Sequence, residues 1–436
     1  MGKTIKNPIL PILTKPGLTT FIFDMKVVES GAITFLNDFF FDHGFDIIYH
    51  NYLDAVQKQK YLDLVERKNW NTDISNPGYI LTVLDLNPLK PNKKTLEYYP
   101  QLDNAHIFFK DWAFQKMDIF TSNQQKKGTG IKGYFQRYTA RMEGYYKPFI
   151  QGQDIIDSTL NSAEAWQIID HVIPEMKPYL EHQIVSRHKA YKPPFPIIKV
   201  LSGRGKNARV DLIDYKGKKA VCKTFRIGRE EAFIKELKGL QLSAKIQEIP
   251  KPYASGENWV VMEYHEMAMD LEAFTFIPIK LAEKIFATLK KLFNEGFAHL
   301  DFNKNNIIVT EDESVYIIDF EDLHKYNKQP GSFKDSYDIS GVINDGDIPS
   351  RPPRTYNYWY PLIGLKFDSL MNDSFYLKSL KRILYIMSSF IKNPLRDYLV
   401  QTKSSIKKLI SKKRIADPIS GKRRTVQPYV INPLYQ

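Results

Sequence analysis

The sequence contains one cysteine, Cys222, in 436 residues. A single cysteine excludes an internal disulfide framework and cannot by itself build a cysteine-based zinc site, so a reducing compartment suits the chain. No apolar run reaches the roughly 18–20 residues that a membrane-spanning helix needs. The residues after Met1 also lack the charged, apolar and small-residue order of a secretory leader. These absences predict a cytoplasmic protein.

The composition predicts folded domains. Hydrophobic residues make up 43% of the chain and aromatic residues 13%, which is ample for packed cores and excludes wholesale disorder. A length of 436 residues predicts two or three domains rather than one core. The sequence shows neither a solenoid-type repeat nor a long low-complexity tract.

Positive charge is concentrated near the C-terminal end. Residues 376–436 carry 14 Lys and Arg residues against two acidic ones, which accounts for nearly all of the net charge of +13. Apolar and basic residues alternate at helical spacing over 379–392, and a polybasic run follows. Such segments suit anionic membrane surfaces, so we expect peripheral membrane contact here. Nucleic acid is disfavoured because the run lacks interleaved aromatic residues. A final helix with a solvated tail is the plainer alternative.

Three closely spaced prolines, Pro193, Pro194 and Pro196, predict a stiff linker between two folded parts. Apolar periodicity before the linker predicts a mixed α/β part with strands at Thr19–Phe23, Phe45–Tyr49 and Tyr79–Leu84 and helices at Ala32–His43 and Ala163–Ile173. The part after the linker is predicted to contain a hairpin over 210–225, a helix at Arg229–Ala244, a strand at Trp259–Tyr264, a long helix ending at Gly296, and a second hairpin over 307–318.

The strongest motif is the loop His299-Leu-Asp301-Phe-Asn-Lys-Asn-Asn306. Phosphoryl transfer needs a carboxylate beside the acceptor hydroxyl and oxygen ligands for a metal, and an H-x-D-x-x-x-x-N loop supplies both from one turn. The hairpin that follows delivers Asp319, in Asp319-Phe320-Glu321, to the same region. A lone aspartate before a strand is more often a cap. The joint order and spacing favour catalysis.

Two upstream features complete this set. Gly203 and Gly205 form a glycine-rich turn before Val210, and such a turn lets backbone N–H groups approach phosphates. Val210 could then pack on the nucleotide base. By itself this signal is weak, because glycines in a loop usually mark only a turn. Lys223 follows on the next strand and is the candidate cation for the α/β-phosphates.

Lys223 needs a carboxylate partner on the next predicted helix. Glu236 is the first choice because Leu237 and Leu240 give it a partly apolar setting, and Glu230 and Glu231 remain alternatives.

Residues 197–345 resemble the protein-kinase-like superfamily, through the loop at 299–306, Asp319 and Lys223. The resemblance implies a bilobal α+β fold and an enzyme that uses ATP and Mg²⁺. Asp301 would act on the acceptor hydroxyl, and Asn306 and Asp319 would hold magnesium. Met262 would line the adenine pocket, and backbone groups near Glu263 and His265 would bond the base.

Two features direct the expected acceptor away from proteins. Asn303 stands where protein kinases usually have the lysine that meets the transferred phosphate, and in this it resembles bacterial lipopolysaccharide Kdo kinases. The segment between Asp319 and Asp338 is also short and lacks an Ala-Pro-Glu motif. We therefore expect a sugar, glycan or lipid-linked hydroxyl as acceptor. The alternatives are an atypical protein serine/threonine kinase and a nucleotide-binding scaffold without catalysis.

The N-terminal part faintly resembles a degenerate nucleoside diphosphate kinase, over 19–31 and 42–48, which implies a ferredoxin-like fold without that family's activity. An unrelated α/β domain is an equal alternative. The expected organisation is an N-terminal domain at 1–191, the linker at 192–196, a kinase-like N-lobe at 197–265, a C-lobe at 266–375 and a basic helical segment at 376–436.

Overall fold

The computed structural model of the chain describes residues 10–29, 33, 40, 44–70, 74–91, 93–98, 100–104, 156–202, 207–341 and 353–388. The chain forms two compact units, Met1–Trp359 and Tyr360–Gln436. Within the described ranges, no helix is both long and apolar enough to cross a bilayer.

The first sheet of unit one is antiparallel, with strand order β2-β3-β1-β4. Its strands are β1 (Leu18–Asp24), β2 (Asp46–Tyr52), β3 (Pro77–Leu84) and β4 (Ile156–Ser158). The accompanying helices are α1 (Leu10–Leu13), α2 (Met25–Glu29), α3 (Ala55–Lys68), α4 (Lys93–Tyr98), α5 (Ser162–Val172) and α6 (Lys177–Ala190). The four strands and their helices make this part mixed α and β, and the ferredoxin-like fold stays a prediction.

The two central strands of this sheet are buried along their whole length. Every residue of β1 and β3 is buried, so neither strand shows the alternation of a half-exposed sheet. The apolar face of α5, with Ile168 and Ile169, packs into one core with Ile22 and Ile80. Residues of this core come from both ends of the N-terminal part, so the sheet and its helices bring together segments that are far apart in the sequence.

The second sheet has five antiparallel strands in the order β5-β6-β7-β9-β8. They are β5 (Ile197–Val200), β6 (Ala208–Tyr215), β7 (Lys218–Phe225), β8 (Pro252–Ser255) and β9 (Trp259–Glu263), and α7 (Glu230–Gln241) lies between β7 and β8 in the chain. Lys216 and Gly217 both have positive φ, at 55° and 78°, as a tight two-residue hairpin turn requires. The hairpin predicted around these residues is confirmed.

The remaining elements are mainly helices, together with two small two-stranded sheets. They are α8 (Ile279–Asn294), β10 (Phe297–Ala298), β11 (Ile307–Val309), β12 (Val315–Ile317), β13 (His324–Lys325), α9 (Tyr356–Ile363) and α10 (Phe367–Asn372). The predicted apolar stripe of α8 is buried, and Gly296 ends that region with a φ of 84°. The strand pairs β10–β13 and β11–β12 bracket the loop at 299–306.

The mixed α+β architecture predicted for the chain is therefore confirmed, and it is consistent with a kinase-like fold. The proline-rich stretch at 192–196 contains no helix or strand. Its Phe195 ring packs edge-on against Tyr215 and Trp259, so this stretch is anchored on the second sheet. Most of the helix predicted at Ala32–His43, the glycines Gly203 and Gly205, and the basic run beyond 388 lie outside the described residues. The division into domains stays a prediction.

Candidate active site

The loop at 299–306 is held by the buried carboxylate of Asp338. The backbone N–H groups of His299 and Leu300 each donate to it, at 2.9 Å. Burial raises the pKa of Asp338, while these two donors and His299 act to lower it. Leu300 has a φ of 62°, a conformation that costs a branched residue energy. The two hydrogen bonds stabilise that conformation, so Asp338 fixes the path of the chain just before Asp301.

Asn303 and Asn306 both hydrogen-bond to the backbone carbonyl of Asp301. Asn303 Nδ2 and Asn306 Nδ2 both donate to the backbone oxygen of Asp301, at 2.9 Å each. Asn303 Oδ1 also accepts from the backbone N–H of Asn305 at 2.9 Å. Ile318 N–H donates to the Asn306 carbonyl at 3.0 Å, so the residue before Asp319 is tied to the loop. The structure thus brings Asp301, Asn306 and Asp319 into one region.

Asp301 contacts a cation that the sequence did not point to. Arg354 Nε donates to Asp301 Oδ1 at 2.6 Å. The backbone N–H of Arg354 also donates to the Leu300 carbonyl at 2.7 Å. No spacing rule linked Arg354 to the loop, because the contact spans 53 residues.

Three carboxylates surround the ammonium of Lys223. Its Nζ lies 3.0 Å from Glu236 Oε2, 2.5 Å from Asp319 Oδ1 and 2.8 Å from Glu321 Oε1. The Lys223 and Glu236 side chains are almost fully buried, whereas the Asp319 side chain is 37% exposed. The backbone N–H of Phe320 also donates to Glu236 Oε2 at 2.7 Å, which fixes Glu236 from a second direction.

Close helix packing brings these groups together. Gly239, on the same helix as Glu236, lies so close to Phe320 that a Cβ atom there would fall 2.2 Å from its ring. The helix α7 therefore rests directly on the segment Asp319-Phe320-Glu321. Glu231 instead pairs with Lys235 on the helix surface, and Glu230 accepts from Gly228 N–H. Of the three candidate carboxylates, the structure brings Glu236 to Lys223.

The electrostatics of the cluster follow from burial and charge count. Burial alone lowers the pKa of Lys223, but the three carboxylates raise it well above its ordinary value, so the ammonium stays charged. Burial raises the pKa of Glu236, and Asp319 and Glu321 raise it further against the opposing effect of Lys223. One ammonium among three carboxylates leaves an excess of negative charge, which suits a site that binds a cation.

Glu321 was expected only as part of the motif Asp319-Phe320-Glu321, and its contact with Lys223 was not predicted. Besides Lys223, it accepts from Asn207 Nδ2 at 2.6 Å. Asn207 directly precedes β6, so Glu321 links the end of the glycine-rich stretch to the Lys223 cluster. The sequence did contain an indication of this contact, because Glu321 occupies the position where kinases have the glycine of the D-F-G motif.

The residues predicted to contact the nucleotide base lie on or beside the second sheet. Val210 pairs with Lys223 across β6 and β7, and Met262 is buried on β9. The N–H of Glu263 donates to the Lys251 carbonyl at 2.9 Å, and Glu263 pairs with Ala220 of β7 on its other side. The His265 ring stacks on Tyr316, with centroids 3.5 Å apart, and burial lowers its pKa.

The donor chemistry fits ATP with magnesium. Mg²⁺ prefers oxygen ligands and is usually held by one or two carboxylates together with substrate phosphates. Asp319 and Asn306 offer such oxygens, and Lys223 offers a cation for phosphate. Among the described residues, no group of three or more His, Cys, Asp or Glu side chains forms a metal cage.

Residues 209–335 match the family model of the RIO domain, a member of the protein-kinase-like superfamily. The chain is a kinase-like phosphotransferase. RIO domain proteins are atypical ATP-dependent kinases, so this chain uses ATP and Mg²⁺ and acts on a hydroxyl-bearing acceptor. The matched residues include Val210, Lys223, Asp301 and Asp319. A comparison with curated proteins gave no match.

Proposed function

We propose that the chain is an atypical protein serine/threonine kinase whose RIO-like domain transfers the γ-phosphate of ATP to a protein hydroxyl. The observation that carries this proposal is the cluster of Lys223 with Glu236 and Asp319, beside the Asp301 loop, within the segment that matches the RIO domain. A degenerate scaffold would have no need to retain all these groups together.

In this proposal each residue has one task. Asp301 orients the acceptor hydroxyl and accepts its proton, and Lys223, held by Glu236, binds the α/β-phosphates. Asn306 and Asp319 would hold magnesium, which would offset the charge of the phosphates. Gly203 and Gly205 cover the phosphates, and Val210, Met262, Glu263 and His265 surround the base.

The glycan acceptor expected from Asn303 has less support than a protein acceptor. Both ends of the Asn303 side chain are engaged inside the loop, by the Asp301 carbonyl and by Asn305 N–H. Asn303 therefore has a local structural task that requires no sugar. The RIO domain match favours the protein kinase alternative. Glycan transfer, similarity to Kdo kinases and a nucleoside diphosphate kinase-like N-terminal fold remain hypotheses without further support.

The test is a transfer assay with labelled ATP and the full-length protein, offered protein, glycan and lipid acceptors in parallel. We expect label on protein seryl or threonyl groups, and loss of transfer in Asp301→Ala and Asp319→Ala with the melting temperature retained. Label on glycans alone would refute the protein acceptor. Equal residual transfer in both variants would refute the assigned roles.

We also propose that the C-terminal segment contacts anionic membranes. A helical run over 375–388 belongs to unit two, and its apolar side chains Tyr376, Leu380, Ile383 and Met387 are more than half exposed at helical spacing. Exposed apolar stripes of this kind mark interaction sites. Co-sedimentation with phosphatidylserine vesicles should fall when residues 376–436 are deleted. Unchanged co-sedimentation would leave the segment as an ordinary helix and tail.

A further inference from the structure

The loop at 299–306 has no lysine at the position from which protein kinases usually contact the transferred phosphate. Protein kinases usually place a lysine two residues after the catalytic aspartate, and this chain has Asn303 there. The Lys304 ammonium lies 3.3 Å from Glu272 Oε1, so its charge is directed to that carboxylate. Phosphoryl transfer nevertheless spreads negative charge over the oxygens of the moving group, and a cation beside them stabilises the transition state.

Arg354 is placed to supply that charge. Its Nε donates to Asp301 Oδ1 at 2.6 Å, so the guanidinium lies against the carboxylate that faces the acceptor. A guanidinium has five N–H donors in a planar fork, and this bond engages one of them. The Arg354 side chain is 43% exposed and that of Asp301 is 19% exposed, so the pair lies at the open side of the loop.

The backbone holds Arg354 in this position. Its N–H donates to the carbonyl of Leu300, the residue with positive φ that Asp338 fixes on its other side. The guanidinium also lies over the Tyr358 ring, with its carbon 5.4 Å from the ring centroid. A side chain anchored at its backbone and on a ring costs little entropy to organise, as a preorganised catalytic group requires.

We propose that Arg354 is a catalytic residue that stabilises the transferring phosphoryl group. It would take the role of the lysine that protein kinases usually have at the position of Asn303. The γ-phosphoryl bond to the leaving ADP oxygen breaks as the bond to the acceptor oxygen forms, and the acceptor proton passes to Asp301. Arg354 keeps Asp301 in the geometry for that proton and directs its remaining N–H donors to the phosphoryl oxygens. This inference rests on the proposed kinase function.

The test compares Arg354→Ala and Arg354→Lys with Lys304→Ala, using the full-length protein and labelled ATP. Lys304→Ala is the matched control because it removes a neighbouring cation that is paired with Glu272, whose side chain is 55% exposed. We expect kcat to fall by about 10²-fold in Arg354→Ala with little change in the KM for ATP. Arg354→Lys should retain part of the rate, because lysine keeps the positive charge but lacks the planar set of N–H donors of the guanidinium. Lys304→Ala should stay within a few-fold of wild type.

Chemical rescue separates a catalytic guanidinium from a structural one. Millimolar guanidinium ion added to Arg354→Ala should restore a measurable part of kcat, since the small cation can occupy the vacated position. A normal or increased rate in Arg354→Ala, or folded protein with reduced kcat that guanidinium does not rescue, would overturn the inference. If wild type itself transfers no phosphate to any acceptor, the kinase proposal fails, and this inference fails with it.

Discussion

Asp338 offers the sharpest test of how the active-site loop is held. Its buried carboxylate accepts two backbone hydrogen bonds, from His299 and Leu300, both of which are fully buried. Asp338→Ala would leave two buried N–H groups without their acceptor. Each such group costs about 1–3 kcal/mol, and the positive φ of Leu300 would lose its support.

The expected loss is smaller than the sum of these penalties. Burial raises the pKa of Asp338, which means that ionising this carboxylate inside the protein is itself costly. Removing the charge recovers part of that cost. We therefore expect the free energy of unfolding to fall by about 3 kcal/mol in Asp338→Ala and by about 1 kcal/mol in Asp338→Asn, which keeps one acceptor oxygen.

Urea unfolding of the full-length variants measures these changes, and hydrogen exchange at residues 299 and 300 locates them. Asp335→Ala is the matched control, because this exposed aspartate three residues earlier accepts a hydrogen bond from Ser332 Oγ. Its unfolding free energy should change by less than about 0.5 kcal/mol. A loss below about 1 kcal/mol in Asp338→Ala, or unchanged exchange at 299 and 300, would refute the assigned role of this carboxylate.

Three further predictions concern the surroundings of the site. Gly239→Ala should destabilise the protein by about 1–3 kcal/mol despite the better helix propensity of alanine, because the new methyl group would collide with Phe320, whereas Gly331→Ala, which meets open space, should be nearly neutral in urea unfolding. Glu236→Gln should lower ATP turnover by about 10²-fold through misplacement of Lys223, and Glu231→Gln, on the same helix but paired with Lys235, should not. Burial, together with Lys15 and Lys192, lowers the pKa of His188 from 6.5 to about 4, so the unfolded chain takes up a proton that the folded protein does not. The free energy of unfolding is therefore highest above pH 6.5 and falls as the pH drops from 6.5 towards 4. His188→Gln should reduce this dependence of the unfolding free energy on pH in that window.

The sequence predicted those parts of the site that depend on short-range spacing. Asp301, Asn306 and Asp319 lie on one loop and one hairpin, so their order along the chain nearly dictates their proximity. Glu236 could be preferred over Glu230 and Glu231 because Leu237 and Leu240 give it a partly apolar setting. The apolar residues beside it marked the buried side of the helix.

Long-range contacts were beyond that reasoning. Arg354 reaches Asp301 from 53 residues away, and no periodicity links the two positions. The Asp338 carboxylate stands between the apolar residues Tyr337 and Ile339, a setting that indicates a buried polar group, but its partners are backbone amides that carry no sequence signal. Asn303 was interpreted through its neighbour in sequence, whereas its hydrogen bonds give it a role inside the loop.

The carboxylates around Lys223 are not equivalent, and their differences suggest how the site divides its work. Glu236 is almost fully buried and is fixed by both Lys223 and the Phe320 amide, so moving it away would leave a buried carboxylate without its cation. Asp319 contacts the same ammonium but is 37% exposed. A lysine that binds phosphate must loosen at least one of its carboxylates. Because the Asp319 side chain is partly exposed, turning it towards a metal would cost less than moving Glu236, as the proposed roles of Asp319 as metal ligand and Glu236 as the partner of Lys223 require.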